Sequence, residues 1–563
     1  MRRLPPFVRL ATVAILLLLL NLAANLHDVR EDLTSQGLYT LHPGSVEVVD
    51  ALVASGEGVV IDVYLSSDLP ALLEQGARRQ QDLLDEYVAR APSGVLTYRI
   101  HEISAVDGEL AKQARAQGCE EVAVGARQRD SLSVRAIYKC VVFQRGERRH
   151  VVANLPLQGS ESERDALEFV LTRGLVTLMR GRPRKVAFAQ GLGGPADLPG
   201  FVDGVREVFD ELYGGGIEPV GVNLLNEDGV RRIDASAMDA LILLDPGASV
   251  PKDAKVAIDQ YLCDGGAVGW YQSATAPDER LIRKLVEDLG PTDRIPDVRR
   301  VVDTGLEPLF AHHGILHRRD LVLDPEHAVE VTLETLRGVV RAENPAIFQA
   351  NQIAHEASFL DGVSFVAWPA PSSLELQQRE GLEVSALIRT APAARRYAQP
   401  LLTRNYEAMR APSGASEQGS HVLMAVASGG FVSYYATSAD RPSGDALTRS
   451  KPSSGRLLVA GSGDFLIPQR RFGYSEELAD QGQRLFFESV EWLVEEDEGL
   501  AALRDRRLPP YLGEVDRATR WRVQLLNIAF VPMMFLFLVY ALSLWRGHRR
   551  ERLMGRFDTT REK

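Results

Sequence analysis

The sequence predicts a mixed α/β protein: two α/β domains carried between an N-terminal and a C-terminal transmembrane helix. Three observations predict it. Residues 523–545 form an uncharged apolar run followed by an arginine-rich tail. Residues 10–20 form a second apolar run behind Arg2, Arg3 and Arg9. Between them, short aliphatic or β-branched segments alternate with segments whose apolar residues recur at helical spacing.

The C-terminal run sets the topology. At ~1.5 Å per residue it makes a helix about 35 Å long, enough to cross a hydrocarbon core of roughly 30 Å. Trp521 and Trp545 stand at its ends, where amphipathic rings favour the headgroup level. Pro532 kinks it, a break that membrane helices tolerate. Arg546, Arg549, Arg550, Arg552, Arg556, Arg561 and Lys563 follow, which puts the tail in the cytoplasm and the preceding chain outside. The N-terminal run has two readings, a cleaved signal peptide or a retained helix. Cleavage after Ala24 would put Leu22 where a small residue is wanted, which favours retention. With the helix retained, both termini lie inside, and both readings put the body outside the cytoplasm.

Net charge is −12, so no overall basic field recruits nucleic acid. Both ends are basic and the acidity lies between them, which suits a body anchored against lipid. Three cysteines are too few for a disulfide framework. Cys119 and Cys140 pair only if their strands are neighbours, which spacing alone does not decide. Cys263 reads as a small buried residue.

Along the chain, residues 43–52 predict a short helix with Pro43 at its first position. Residues 59–65 and 95–103 are strands around a helix at 69–90, a strand–helix–strand order that implies a parallel pair. Residues 121–124 and 133–143 look like a strand pair. A helix over 162–179 follows, with Ser162 and Asp165 as a capping pattern. The larger domain opens with a strand at 186–191 running into glycines. Helices at 201–212, 254–263, 281–289, 306–313 and 483–495 alternate with extended segments at 217–225, 240–244, 267–271 and 457–460. That alternation indicates a mostly parallel sheet covered on both faces. Residues 322–387 read as mixed and loop-rich, and 411–419 as a polar loop. Residues 421–427 and 431–436 read as a hairpin around Gly429-Gly430.

Motifs for chemistry are weak. No Gly-Lys dipeptide occurs, so a Walker A loop is excluded and any ATPase is a separate chain. Gly191, Gly193 and Gly194 follow a strand, but Ala196 stands where a dinucleotide loop needs its third glycine, so they read as a tight turn. No G-x-S-x-G occurs. His312, His313 and His317 cluster without an H-E-x-x-H pattern and read as a partly exposed helix end rather than a zinc site. His355-Glu356 lacks a second histidine in phase. No cofactor or metal is implied. Asp245 and Asp464 sit after buried strands, where α/β folds place ligand contacts. A structural turn competes with that reading at both.

Several segments in a fixed order resemble one known family. They are Asp32-Leu33-Thr34 with Tyr39-Thr40-Leu41, then Val63-Tyr64-Leu65-Ser66, then LFAHHGILHRRDLVL over 309–323 ending before Asp324. RLLVAGSGDFL over 456–466 follows, then Glu491-Trp492-Leu493 with Glu495-Glu496-Asp497, Leu503-Arg504, and the apolar run with its basic tail. The chain resembles the gliding-motility auxiliary component of ABC-type transport systems (GldG-like). It departs where relatives carry a Gly-His-Gly-Glu-like turn: here the place reads Gln190-Gly191-Leu192-Gly193-Gly194, so no role of those polar side chains carries over.

The resemblance implies a flavodoxin-like sheet in the large domain, similar to class I glutamine amidotransferases, without their catalysis. Cys263 falls within a helix rather than at a sharp strand–helix turn. It also implies a permease and a separate ATPase as partners, with membrane lipids around the helices; a homo-oligomer is left open. The expected division is an N-terminal transmembrane helix (1–27), a first extracytoplasmic domain (28–156), a helical linker (157–184) and a large auxiliary domain (185–500). A juxtamembrane linker (501–520), a C-terminal transmembrane helix (521–546) and a cytoplasmic tail (547–563) complete it. The expected function is a non-enzymatic, membrane-anchored subunit that binds or couples. Its rivals are an anchored amidotransferase- or hydrolase-like enzyme and a passive envelope scaffold. Candidate contacts are Asp245, Asp464 and, within the membrane run, Gln524 and Asn527, whose side chains gain by hydrogen-bonding another helix.

Overall fold

The computed structural model describes residues 40–91, 94–104, 108–128, 131–157, 166–224, 233, 237–289, 298–335, 338–354, 357–360, 363, 365–400, 416–437, 455–464, 475–494, 503 and 545–546. Met1–Gly159 with Glu163–Arg507 forms one compact unit, and Ser160–Ser162 with Leu508–Lys563 a second. Of the second unit only Trp545 and Arg546 are described, both exposed. Among the described residues no helix is long and apolar enough to cross a membrane. Both predicted membrane runs, with Gln524 and Asn527, lie outside the described residues, as do His355 and Glu356.

The N-terminal part of that unit, expected as the first domain, opens with α1 (Pro43–Ser55), capped by His42, whose Nδ1 accepts the Gly44 N–H at 3.2 Å. β1 (Val59–Ser66), α2 (Ala71–Arg90) and β2 (Leu96–Ile103) follow, and β1 and β2 are parallel as their order predicts. Next come α3 (Glu109–Ala116), a ribbon of β3 (Val122–Gln128) with β4 (Ser131–Ile137), β5 (Lys139–Arg145) and β6 (Arg148–Val152). The sheet runs β2-β1-β5-β6. The strand expected over 133–143 is broken at Tyr138. Its N–H turns aside to the Ser66 hydroxyl at 2.9 Å and its phenol lies between Arg115 and Glu121. β4 therefore leaves with β3 as a separate ribbon.

α4 (Ala166–Arg180) is buried on almost every face, because β5 and β6 cover one side and the next helix another. Its predicted cap at Ser162 lies outside the described residues. The large domain then runs β7 (Arg184–Gln190), α5 (Phe201–Tyr213), β8 (Ile217–Asn223), β9 (Ala240–Leu244), α6 (Lys252–Cys263) and β10 (Ala267–Tyr271). β11 (Thr275–Pro277), α7 (Glu279–Leu289), β12 (Arg299–Val301), α8 (Glu307–His312), β13 (Ile315–His317) and β14 (Leu321–Leu323) come next. β15 (Ala328–Thr335), β16 (Gly338–Ala350), β17 (Gln352–Ile353), β18 (Val366–Pro369), β19 (Leu374–Leu376), β20 (Leu382–Arg389), β21 (Arg395–Tyr397) and β22 (Ser416–Gln418) are mostly antiparallel. β23 (Val422–Gly429), α9 (Tyr434–Thr437), β24 (Gly455–Ala460) and α10 (Glu476–Val494) complete the domain.

The ten-stranded sheet runs β13-β19-β23-β24-β10-β9-β7-β8, with β20 also on β23 and β17 on β20. Its parallel part is β8-β7-β9-β10-β24. In chain order that is second, first, third, fourth, fifth, a doubly wound arrangement whose order reverses between β7 and β9. The expectation of a mostly parallel sheet holds for this part only. Residues 322–387, read as loop-rich, supply short strands that extend the sheet antiparallel beyond β24. Most of these strands are too short to show period-2 alternation.

The predicted hairpin at 421–436 is also corrected. β23 pairs with β20 and β24, and the chain after Gly429 turns into α9. Buried Asp259 on α6 accepts the Ser433 hydroxyl at 2.5 Å and the Tyr434 N–H at 2.9 Å, a carboxylate seated at a helix start. One core, shared with the first domain, lies under α4 and α10; another lies on the opposite sheet face under α6 and α8.

Candidate functional site

In this sheet order ligands bind outside the carboxyl ends of the parallel strands, near the switch between β7 and β9. The structure brings Asp245 and Asp464 to that end, together with side chains that sequence reasoning missed. Asp245 follows β9 with φ +44°, a conformation uncommon for a residue with a side chain. Its Oδ1 accepts the Ser273 N–H at 2.8 Å and the Gln272 amide at 3.3 Å. Ser273 Oγ in turn accepts the Gly463 N–H at 3.1 Å. A Cβ on Gly463 would stand 2.8 Å from the Cβ of Asp245, so glycine is what lets the two strand ends touch. Gly461 is roofed by Ser372, whose carbonyl oxygen would lie 2.0 Å from an added Cβ.

Asp464 is 1% exposed, and Arg299 Nη2 lies 3.7 Å from its carboxylate. Arg299 also donates to Thr275 Oγ1 at 2.8 Å. His317 Nε2 donates to the Gln272 carbonyl at 2.9 Å while its Nδ1 accepts the Arg319 N–H at 3.3 Å, a pattern that fixes the neutral tautomer. Burial pulls its pKa down to about 4, against weaker support from its Gln272 bond. Gln272, Ser273 and His317 follow or end short strands, a position that marks them in retrospect; nothing in the sequence marks Arg299.

The loop after β7 is closed in the same way. Gly191 and Gly193 donate their N–H groups to the two oxygens of Asp197, at 2.5 and 2.6 Å. Backbone donors of the kind that cradle a phosphate are thus engaged by the chain's own carboxylate. The loop after β9 folds against it, with the N–H groups of Gly247 and Ala248 on the Leu192 carbonyl at 3.0 and 3.1 Å. Arg300 reaches the Gly247 carbonyl from β12.

Nucleophile chemistry finds no support around Cys263. It is buried on α6, and burial together with Asp259 and Asp264 pushes its thiol pKa up, the opposite of activation. The histidine cluster is not the expected exposed helix end. Only His312 is partly exposed; His313 and His317 are buried, because α8 stops at His312 and the chain passes at once into β13, a strand of the ten-stranded sheet. His313 Nε2 lies 3.5 Å from Asp259 Oδ1. Among the described residues no group of His, Cys, Asp or Glu is arranged to hold a metal. Asp324, the aspartate that closes the resembling 309–323 segment, holds a turn: its Oδ1 accepts the Glu326 N–H at 3.1 Å and its Oδ2 meets His327 Nδ1 at 3.1 Å.

In the first domain Cys119 and Cys140 are joined by a disulfide, with Cα atoms 5.8 Å apart. α4 ties the two halves together through buried charge. Its Glu168 accepts the His42 N–H at 2.7 Å and the Ser45 hydroxyl at 2.8 Å, and its Arg173 pairs with Glu491 of α10.

Fold and site together define a mixed α/β protein built on a doubly wound sheet whose ligand end is occupied by its own side chains. Residues 183–488 match a protein family described as an ABC-type uncharacterized transport system, over more than half of the chain. The chain belongs to that family, a transport-associated auxiliary group. Residues 35–144 match a domain of unknown function, DUF7088. No curated protein matches the chain. Among solved structures it is similar to the mmIFT52 N-terminal domain, at 11% identity over 55% of this chain and 98% of that one, TM-score 0.31. It is also similar to a ThuA-like protein from Bacteroides uniformis, at 11% identity over 56% of this chain and 92% of that one, TM-score 0.25.

Proposed function

We propose that this chain is a non-enzymatic, membrane-anchored auxiliary subunit of an ABC-type transport system of the GldG-like, gliding-motility kind. Its body lies outside the cytoplasmic membrane, and a permease and a separate ATPase are its partners. The observation that carries the reading is the occupied sheet end. Asp245, Ser273 and Gly463 bond one another, and Asp197 fills the loop donors, where a related fold would hold a substrate. What remains is a rigid body that acts through its surface and its connections.

Two further observations support this placement and role. A disulfide buried in a small domain suits an oxidising compartment outside the cytoplasm. The chain entering from the predicted N-terminal helix at His42, and α10, which precedes the predicted C-terminal one, are both held by α4.

Affinity purification of the full chain from native membranes in mild detergent tests the reading. A permease and an ATPase in comparable amounts are expected. Recovery of the chain with no ABC subunit contradicts it. A reporter fused after Lys563 is separately expected to be active only in the cytoplasm.

A further inference from the structure

A second cluster of titratable side chains lies away from the strand ends, where α8 stops and α9 begins, and the proposed function does not use it. Two adjacent histidines leave α8 and grip the chain that follows β23. His312 Nε2 donates to the Val432 carbonyl at 3.1 Å, and its ring meets Tyr434 edge to face at 5.6 Å. The His313 ring meets Phe431 edge to face at 5.2 Å, and the two imidazoles lie 5.1 Å apart. Asp259 of α6 supplies a third hold, through the Ser433 hydroxyl and the Tyr434 N–H. Three side chains thus hold four consecutive residues.

The gripped segment is a strap rather than a strand. Phe431 anchors its base in the core under α6. Beyond it Val432 is 45% exposed, and α9 is only 4 residues long. The sheet ladders of β23 and β24 end at Gly429 and Gly455, on either side of this segment. Lifting it therefore breaks no strand pairing.

The clasp is set against a proton on His312. The groups facing that ring are His313 at the same corner, Asp259 of α6, Arg379 ahead of β20 and the Tyr434 ring of α9. Arg379 is held there by the Ala311 carbonyl at 3.0 Å, and its charge opposes a second cation. Asp259 is already engaged at both oxygens: Oδ1 by Tyr434, and Oδ2 by Ser433 and the Gln260 amide at 3.2 Å. Cys263, one turn further along α6, is kept a neutral thiol chiefly by burial. Burial first, and then His313, hold His312 below the ordinary histidine range, against weaker support from the Val432 carbonyl and Asp259. Once the strap lifts, His312 returns to water and takes a proton at about 6.5. Acid therefore favours the lifted state.

We propose that residues 432–437 form an acid-released strap, clasped onto α6 by His312, His313 and Asp259 at neutral pH and lifted when His312 gains a proton. Lifting bares the face of α6 around Asp259 and Gln260, both buried beneath the strap, and frees Tyr434 and Tyr435.

Hydrogen exchange of the full chain in mild detergent tests this, read on peptides covering 431–437 and corrected for the intrinsic pH dependence of amide exchange. Protection of that segment is expected to fall at least about threefold from about pH 7.5 to about pH 5.5. His312→Gln keeps a donor for the Val432 carbonyl but takes no proton, so its strap is expected to stay protected across the range. A wild-type strap equally protected at both pH values overturns the proposal. A His312→Gln strap that loses protection in acid as wild type does overturns it too. If His312→Gln leaves the strap open at neutral pH, Arg379→Glu decides. Reversing the opposing charge lets the clasped state accept the proton, so the acid-induced loss is expected to shrink, and an unchanged loss is contrary to the proposal.

Discussion

At the carboxyl ends of β9, β10 and β24, polar groups that would face a ligand face one another instead: Asp245 holds Ser273, and Ser273 holds Gly463. In the first domain β2 does the reverse, turning the backbone of Leu96, Tyr98, Ile100 and Glu102 away from the molecule. The first arrangement stabilises a body and uses up the place where this fold does chemistry. The second leaves a row of backbone groups unpaired among the described residues. The difference teaches where partners are to be sought, on the surface of the first domain rather than in the sheet crevice.

Substitutions separate the two regions by the size of their effect. Gly461→Ala is expected to be most severe, because its Cβ meets a backbone carbonyl that cannot yield. Overpacking of this kind costs about 3 kcal/mol, read as a lowered denaturation midpoint. Replacing Cys119 and Cys140 together by serine frees a loop spanning 21 positions and should cost about 3 kcal/mol under oxidising conditions. Added reductant should bring wild type down by the same amount. Asp245→Ala removes the acceptor of the Ser273 N–H and is expected to cost about 2 kcal/mol; Asp245→Asn, which keeps one acceptor oxygen, should cost less. Cost-free replacement of Asp245 would mean that the crevice network is incidental.

A pH dependence is expected as well. Burial holds the pKa of His317 near about 4, below its unfolded value of roughly 6.5. The unfolded chain therefore binds a proton first, and stability falls as pH drops from about 6.5 towards about 4, by up to ~1 kcal/mol per pH unit. His150, whose pKa burial also lowers to about 4, adds to the same window. Urea midpoints across that range should slope downward with acid, and His317→Gln should flatten part of the slope.

The parallel strands were legible in the sequence because each is a short, wholly apolar run between helices with clear periodicity; ALILL over 240–244 is buried throughout. The antiparallel extension was not, because strands such as Leu374–Leu376 are too short to show a period. α9 was misread because its start is set by Asp259, far away in sequence on α6. Asp245 and Asp464 were visible as strand-end aspartates, but whether a ligand or the chain occupies such a carboxylate depends on distant residues such as Ser273 and Arg299. The disulfide depended likewise on bringing the end of α3 against β5, which spacing does not encode.

The central claim is that this body serves a transporter without chemistry of its own. The ATPase rate of the proposed permease–ATPase partner, reconstituted in lipid with and without the full chain, tests it most directly. The account predicts that the chain changes that rate and that Cys263→Ala changes it equally. An unaltered rate with wild type, or loss of the effect in Cys263→Ala with the fold intact, would contradict it.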